Sequence, residues 1–198
     1  MVSYRMAHQR LIVGITGASG IMYGIRLLEM LTELKVERHL VVSKGAELTR
    51  NYESSLSAKE LQSLASVSYS YQNIGAAIAS GSFKTDGMII APCSMKTLAE
   101  IATGITTNLI SRAADVVLKE RRRLVLMVRE APLHSIHLEH MLKLSQLGAI
   151  IVPPVPAFYT HPKSIDDIVN HTVGRALDLF DYNVTQIKRW GVAGCELS

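Results

Sequence analysis

The stretch Arg10-Leu-Ile-Val-Gly-Ile-Thr-Gly-Ala-Ser-Gly20 decides the fold. Its first half, Arg10 to Ile15, is a short apolar run rich in β-branched residues, the composition of a buried strand. Its second half, Thr16 to Gly20, is a glycine turn. From Ile21 to Leu34, apolar residues return at helical spacing, at Ile21, Ile25, Leu28 and Leu31. The same rhythm continues along the chain. His39–Ser43 predicts a second strand, and Lys44 to about Tyr52 a helix. Gly87–Ala91 predicts a third strand, stopped by Pro92-Cys93-Ser94, with helices at about Met95–Thr103 and Asn108–Arg121. Leu124–Val128 is a fourth strand, Ile136–Leu147 a helix closed by Gly148, and Ala149–Val152 a fifth strand ended by Pro153-Pro154. Ser164 caps a last long helix, with Asp166 and Asp167 in its first turn to match the helix dipole. The Ser-rich segment around 61–83 is the most loop-like part.

These strands are solidly apolar rather than alternating, which is the mark of a parallel sheet covered on both faces. The expectation is an α/β fold, a three-layer sandwich with a mostly parallel sheet. No internal repeat or interdomain linker interrupts it. Residues 1–198 are expected to form one domain, with a C-terminal arm from about residue 182, where the βα rhythm stops.

Composition excludes several classes. The chain is 48% hydrophobic and 19% charged, which a disordered chain would not be. That charge content falls below the roughly 25% usual for soluble domains, in keeping with subunit contacts. Two cysteines, Cys93 and Cys195, make no disulfide framework and no zinc motif. The longest uncharged run, Leu61–Phe83, contains six serines and is no membrane span. The N-terminus has no apolar core of signal-peptide length. A cytoplasmic protein is the expectation. A net charge of +4 fits an anionic partner but is too small to indicate nucleic acid.

In an open α/β sheet, ligands bind at the carboxyl ends of the strands. The residues expected there are Gly17, Ala18, Ser19 and Gly20, then Ser43, then Pro92 to Ser94, then Arg129 and Glu130, then Pro153 to Tyr159. The glycines do not spell G-x-G-x-x-G, and Ser43 stands where a dinucleotide site needs an acid, so NAD is disfavoured. No Walker A motif occurs. Backbone N–H groups at a helix start, with the hydroxyls of Ser19 and Ser94, suit a single phosphate; a plain strand–helix turn is the competing reading. Arg112 and Lys119 share one helix face, and form either a phosphate grip or a solvated basic face running into Arg121-Arg122-Arg123. Arg129-Glu130 is either a functional pair or a structural one. His134, His137 and His140 recur at every third residue without completing a known metal set, and read as a half-exposed stripe. Cys93 reads as a buried strand-end residue.

Several of these strings together resemble one family. They are Thr16-Gly-Ala-Ser-Gly20, Ala91-Pro-Cys-Ser-Met-Lys-Thr97, Asn108-Leu-Ile-Ser-Arg-Ala-Ala-Asp115, Leu118-Lys-Glu-Arg-Arg122, Arg129-Glu-Ala-Pro132, His137-Leu-Glu-His-Met-Leu-Lys-Leu144 and Pro156-Ala-Phe-Tyr159. In their order, from about residue 10 to Trp190, they resemble the UbiX-like flavin prenyltransferases, some formerly named phenylacrylic or hydroxyarylic acid decarboxylase subunits. The resemblance implies a Rossmann-like or flavodoxin-like homo-oligomer, typically a dodecamer, with FMN sites at subunit interfaces and no metal. It implies transfer of a dimethylallyl group from dimethylallyl monophosphate to N5 and then C6 of reduced FMN. The prenylated FMN would then serve a UbiD-type decarboxylase.

By position, the resemblance implies FMN contacts at Gly17, Ala18, Ser19, Ser43, Ser94, Met95, Lys96, Thr97 and Arg129. It implies prenyl-phosphate contacts at Tyr159 and Arg175, with Arg112, Lys119 and Glu130 in the same anion site. Glu53 matches a carboxylate that works with Ser19 near the flavin, and Trp190 an aromatic of the C-terminal arm. Ser19, Glu53, Glu130, Lys119 and Arg112 are thus the expected catalytic set. Two features depart from the pattern: the segment before Phe83 is shorter than in some members, and Lys96-Thr97 stands where some have Gly-Thr. Two other functions fit the same fold: an FMN-dependent decarboxylase acting directly on a phenolic acid, and a non-catalytic FMN-binding subunit of a decarboxylase. Intact Glu130, Lys119 and Arg175 speak against the last, since FMN binding alone does not need them.

Overall fold

A computed structural model describes residues 9–185 and 187–189. The strands are β1 (Arg10–Ile15), β2 (Glu37–Val42), β3 (Val67–Tyr69), β4 (Gly87–Cys93), β5 (Arg123–Val128) and β6 (Ile150–Ile151). The helices are α1 (Ile21–Glu33), α2 (Lys44–Glu53), α3 (Ala58–Ser63), α4 (Met95–Thr103), α5 (Leu109–Lys119), α6 (Ser135–Gln146) and α7 (Ile165–Asp178). The strands form one sheet in the order β3-β2-β1-β4-β5-β6. Every pairing in it is parallel.

Alternation along β1 divides the core between the two faces of the sheet. Leu11, Val13 and Ile15 pack with α1, α7 and the segment after α7. Ile12 packs with α4, α5 and Leu144 of α6 on the other face. These are the three layers expected. The chain moves from β1 outward to β2 and β3, then returns across β1 to β4 and continues the other way. The crevice between the carboxyl ends of β1 and β4 is therefore the point where strand order reverses, the usual place for a ligand in such a sheet.

Two parts differ from the sequence expectation. The segment around 61–83 is not simply loop: it holds the end of α3, the edge strand β3 and a 3-10 turn at Ala77–Ala79. β3 escapes periodicity because it is short and its first two residues are exposed. The last strand is shorter than Ala149–Val152, with only Ile150 and Ile151 in the ladder. The described part of the expected C-terminal arm lies on its own chain. Tyr182, Val184 and Ile187 are buried against the α1–α7 side of the core, and the Tyr182 hydroxyl donates to Asp86 Oδ2 at 2.8 Å. Trp190 and Cys195 lie outside the described residues. No helix among the described residues is long and apolar enough to cross a membrane.

Candidate functional site: the crevice at the carboxyl edge

The turn after β1 and the turn after β4 are stitched together by Thr16. Its side chain is buried, its hydroxyl donates to the Pro92 carbonyl at 2.8 Å, and the same oxygen accepts the Ser94 N–H at 2.8 Å. The Thr16 N–H also reaches the Pro92 carbonyl, at 3.2 Å. A buried hydroxyl satisfied in both directions fixes the spacing of the two loops. The Arg129 N–H donates to the Cys93 carbonyl at 3.2 Å, which brings the end of β5 to the same edge.

Gly17 meets the start of α2 backbone to backbone. A Cβ there would stand 2.9 Å from the Cα and carbonyl carbon of Gly45, so no larger residue fits without a shift. Gly20 has φ of 109°, the left-handed region that glycine enters without strain, and opens α1 without a side-chain cap. The missing cap comes from the other end of α2: Glu53 accepts the Gly20 N–H at 2.8 Å and the Ile21 N–H at 3.1 Å. Burial pushes the Glu53 carboxyl up, but the Ser19 hydroxyl, these two N–H groups and the Arg129 charge outweigh it, leaving the acid below its ordinary range. Glu53 is thus ionised at neutral pH and tied to Ser19. The Tyr23 ring lies over Gly20, burial raises its hydroxyl, and Arg129 close by works against that rise.

Ser43 and Ser94 sit at the starts of α2 and α4 and cap them, accepting the N–H groups of Ala46 at 3.1 Å and Thr97 at 3.3 Å. The N-termini of α1, α2 and α4 therefore meet around the reversal crevice with Gly17, Ala18, Ser19, Ser43 and Ser94. Converging helix dipoles and the small, hydroxyl-bearing residues of these turns make this a seat for an anion. Of the neighbouring expected residues, Met95 is half-buried and Thr97 buried, while Lys96 is exposed and 3.8 Å from Glu100. Arg129 and Glu130 are exposed at the mouth, and Glu130 accepts the Ala131 N–H at 3.0 Å.

The expected prenyl-phosphate residues stand apart from this cluster. Tyr159 is the middle residue of a 3-10 turn, Phe158–Thr160, and its hydroxyl lies 3.3 Å from His171 Nε2 on α7. Arg175, one turn further along α7, donates to Asp178 Oδ2 at 2.7 Å. Asp178 is also gripped by both Nη atoms of Arg189. Arg112 pairs with Asp115 at 2.9 Å on the outer face of α5. Lys119 ends α5 and pairs with Glu120. α5 leads into the amino end of β5, so Lys119 is separated from Arg129 by the length of that strand, about 20 Å at the usual rise per residue. Within one chain, Lys119 does not meet the Ser19 cluster. Each of the two cations on this face rests on a neighbouring acid.

Cys93 is buried, and burial pushes its thiol up to about 12, which makes it a packing residue. His134 and His137 stack with centroids 3.5 Å apart. Among the described residues, no group of three or more His, Cys, Asp or Glu side chains is placed to hold a metal ion. Sequence reasoning passed over three residues that matter here. Thr16 lies inside the quoted motif, but its bridging role is visible only across strands. Tyr23 and His171 carry a spacing signal, each one helical turn from a named residue.

Known proteins resemble this chain over most of its length. The family model described as Flavoprotein matches residues 2–177. Flavin prenyltransferase UbiX of Neisseria meningitidis serogroup B is 54% identical over 182 residues, covering 92% of this chain and 96% of that protein. The mitochondrial flavin prenyltransferase of Saccharomyces cerevisiae is 53% identical over 92% of this chain and 75% of its own. Among solved structures, AnUbiX in complex with FMN and dimethylallyl pyrophosphate superposes with a TM-score of 0.92 at 50% identity, over 93% of this chain and 98% of that one. A dodecameric FMN-dependent UbiX-like decarboxylase from Escherichia coli O157:H7 gives 0.90 at 53% identity, over 92% and 99%.

Proposed function

The chain belongs to the flavoprotein family, among its UbiX-like flavin prenyltransferases, and from that premise we propose how its own residues move a dimethylallyl group from dimethylallyl monophosphate to reduced FMN. The observation that carries the reading is the convergence of three helix N-termini on a glycine turn whose neighbours, Ser19, Glu53 and Arg129, are already organised. The residues fit FMN. The Gly17–Gly45 approach lets backbone reach a bound phosphate, and Ser19, Ser43, Ser94 and Thr97 offer hydroxyls around it. Gly17, Ala18, Ser19, Ser43, Ser94–Thr97 and Arg129 hold the flavin in this reading. Bound reduced FMN supplies the nucleophile for the transfer.

The protein must then stabilise a leaving phosphate without a metal. Fixed cations and donors do this best where water is excluded. Arg175 and Tyr159 take the phosphate from one side. Arg112 and Lys119 join from a neighbouring subunit, because Lys119 stands at the far edge of its own sheet. Trp190 and Tyr159 shelter the allylic cation that develops as the phosphate departs. A proton released in the transfer has two carboxylate receivers at the edge, Glu53 behind the Ser19 hydroxyl and Glu130 at the mouth.

This reading needs an assembly, and the surface suits one. Ile136, Leu138 and Leu142 of α6 are 55%, 52% and 60% exposed, and Val155 and Phe158 beside the donor residues are 72% and 70% exposed. A homododecamer like that of the E. coli O157:H7 neighbour would cover such surface. The prenylated FMN passes to a UbiD-type decarboxylase, and the whole exchange belongs in the cytoplasm. The experiment is to incubate the protein anaerobically with reduced FMN and dimethylallyl monophosphate and weigh the flavin. The expected result is the gain of one dimethylallyl unit. The decarboxylase names of some neighbours favour a second reading. Carbon dioxide release from a phenolic acid with plain FMN, and no mass gain on the flavin, would establish it instead.

A further inference from the structure

His171 is 9% exposed and lies on α7 one turn before Arg175, so the two side chains share a helix face. Its Nε2 is 3.3 Å from the Tyr159 hydroxyl, and the rings meet edge-on with centroids 5.8 Å apart. The imidazole also hydrogen-bonds the Lys188 backbone carbonyl. With Nε2 turned to Tyr159, that bond falls to Nδ1–H, an arrangement that fixes the tautomer. The neutral ring then has a lone pair at Nε2, and the Tyr159 hydroxyl donates to it. In that state Tyr159 cannot also donate to a phosphate.

We propose that His171 is a positioning residue for the prenyl donor: it holds the Tyr159 hydroxyl turned inward until the donor phosphate binds, and by taking up a proton then, it turns that hydroxyl outward to donate into the phosphate. The proposal rests on the reading of Tyr159 and Arg175 as phosphate contacts. In the bound state, Nε2–H of the imidazolium donates to the Tyr159 oxygen, and the Tyr159 O–H donates to a phosphate oxygen. One proton is taken from solvent and no bond to carbon or phosphorus changes. The solvent path is present, since His171 lines a cavity of about 290 Å³ open beside Lys163 and Lys188.

The charges around the ring set the direction of the effect. On its own helix it faces Arg175 and Asp178; from the 3-10 turn it faces Tyr159; from the segment after α7 it faces Lys188 and Arg189. His161, Lys163 and Asp167 share the cavity wall. Burial, then the Arg175 charge, holds the imidazole below its ordinary value of 6.5 despite the Lys188 carbonyl and Asp178, so the free enzyme carries it neutral at pH 7. A phosphate dianion beside Tyr159 offsets Arg175 and favours the imidazolium. Between the free and bound values, donor binding takes up a proton. Donor affinity therefore improves as pH falls through that window and is level above it.

The test uses the FMN-loaded, oxidised protein, in which the donor binds without reacting. Dimethylallyl monophosphate is titrated calorimetrically in two buffers of different protonation enthalpy at neutral pH. H171F and H171Q should retain FMN and bind the donor roughly tenfold more weakly, the effect of losing one charge-assisted hydrogen bond. Their proton uptake should fall below that of the unmodified protein. H171F/Y159F should bind no more weakly than Y159F alone, because His171 acts through Tyr159. H171Q, which keeps a polar side chain in the cavity wall, decides the matter if H171F does not assemble. The proposal is overturned if both His171 variants bind with unchanged affinity and uptake while Y159F and R175A bind weakly. It is equally overturned if H171F weakens binding as much in the Y159F background as alone. If Y159F and R175A themselves bind normally, the phosphate reading has failed, and this inference goes with it.

Discussion

Around Ser19, almost every polar group is engaged by the same chain: Thr16 ties two turns, Ser43 and Ser94 cap two helices, and Glu53 caps a third. Around Arg175, the cations assigned to the donor are scattered, each resting on a nearby acid: Arg175 on Asp178, Arg112 on Asp115, Lys119 on Glu120. In the proposed reading, the first region is built within one chain, and the second is completed by a neighbouring subunit. A preorganised cradle suits a ligand that stays bound through the chemistry. Parked cations suit one that arrives and leaves as phosphate, since each must exchange one anion for another.

The largest effect is expected for Arg175→Ala. If the donor region is separate, the variant keeps its FMN and loses prenyl transfer by about thirty- to a thousand-fold at low donor concentration. More donor restores part of the rate. Loss of FMN together with activity would merge the two regions.

Gly17→Ala strikes the cradle instead. Its Cβ must displace Gly45 backbone, at a cost of about 1–3 kcal/mol. The expected result is weakened FMN retention on dialysis, with the oligomer intact by light scattering. Unchanged FMN affinity would mean that the backbone apposition is not what receives the flavin.

Subunit mixing tests whether Lys119 and Arg175 reach one site from different chains. Lys119→Ala and Arg175→Ala oligomers, each nearly inactive, should regain a few-fold activity after co-refolding, because some mixed sites then draw Lys119 from an Arg175→Ala chain and Arg175 from a Lys119→Ala chain. No recovery would place Lys119 and Arg175 in the same chain's site, or Lys119 outside any site.

The smallest effect expected is in acid. Glu53 is held below its ordinary value of 4.5, so its contribution is present above that pH and lost as pH falls through the folded-state value. The melting temperature of Glu53→Gln should therefore lie below that of the unmodified protein near pH 7, and the gap should close in strong acid. A constant gap would mean that the charge of Glu53 contributes nothing to the cradle.

Local signals made much of this legible in the sequence. β1 and α4 fall at Arg10–Ile15 and Met95–Thr103, as read, because a glycine turn ends one and Ser94 starts the other. α7 follows its Ser164 capping box. The edge strand β3 was not legible, since Val67–Tyr69 becomes a strand only by pairing with β2 across some 28 residues, His39 opposite Val67. α3 was findable: Ser57 and Glu60 form a capping box that spacing alone displays. At the site, Ser43 and Ser94 were readable as strand-end hydroxyls. Arg112 and Lys119 were readable as one face, but not the acids that hold them or the strand length that parts Lys119 from Arg129. Those facts belong to the packed chain, not to any window of it.

Asp178 also sets how charge is supplied at this end of α7. One carboxylate there receives two guanidiniums, Arg189 with both of its Nη atoms and Arg175 with one. The trio is thus one unit positive at rest. A phosphate that draws Arg175 away leaves the carboxylate with Arg189, fully neutralised, so releasing the working cation exposes no bare anion behind it. With Arg175 as the proposed donor contact, the arrangement would act as a charge reservoir: it would lend a positive charge to an arriving ligand and be refilled when that ligand departs, with the balancing ion pair kept whole throughout.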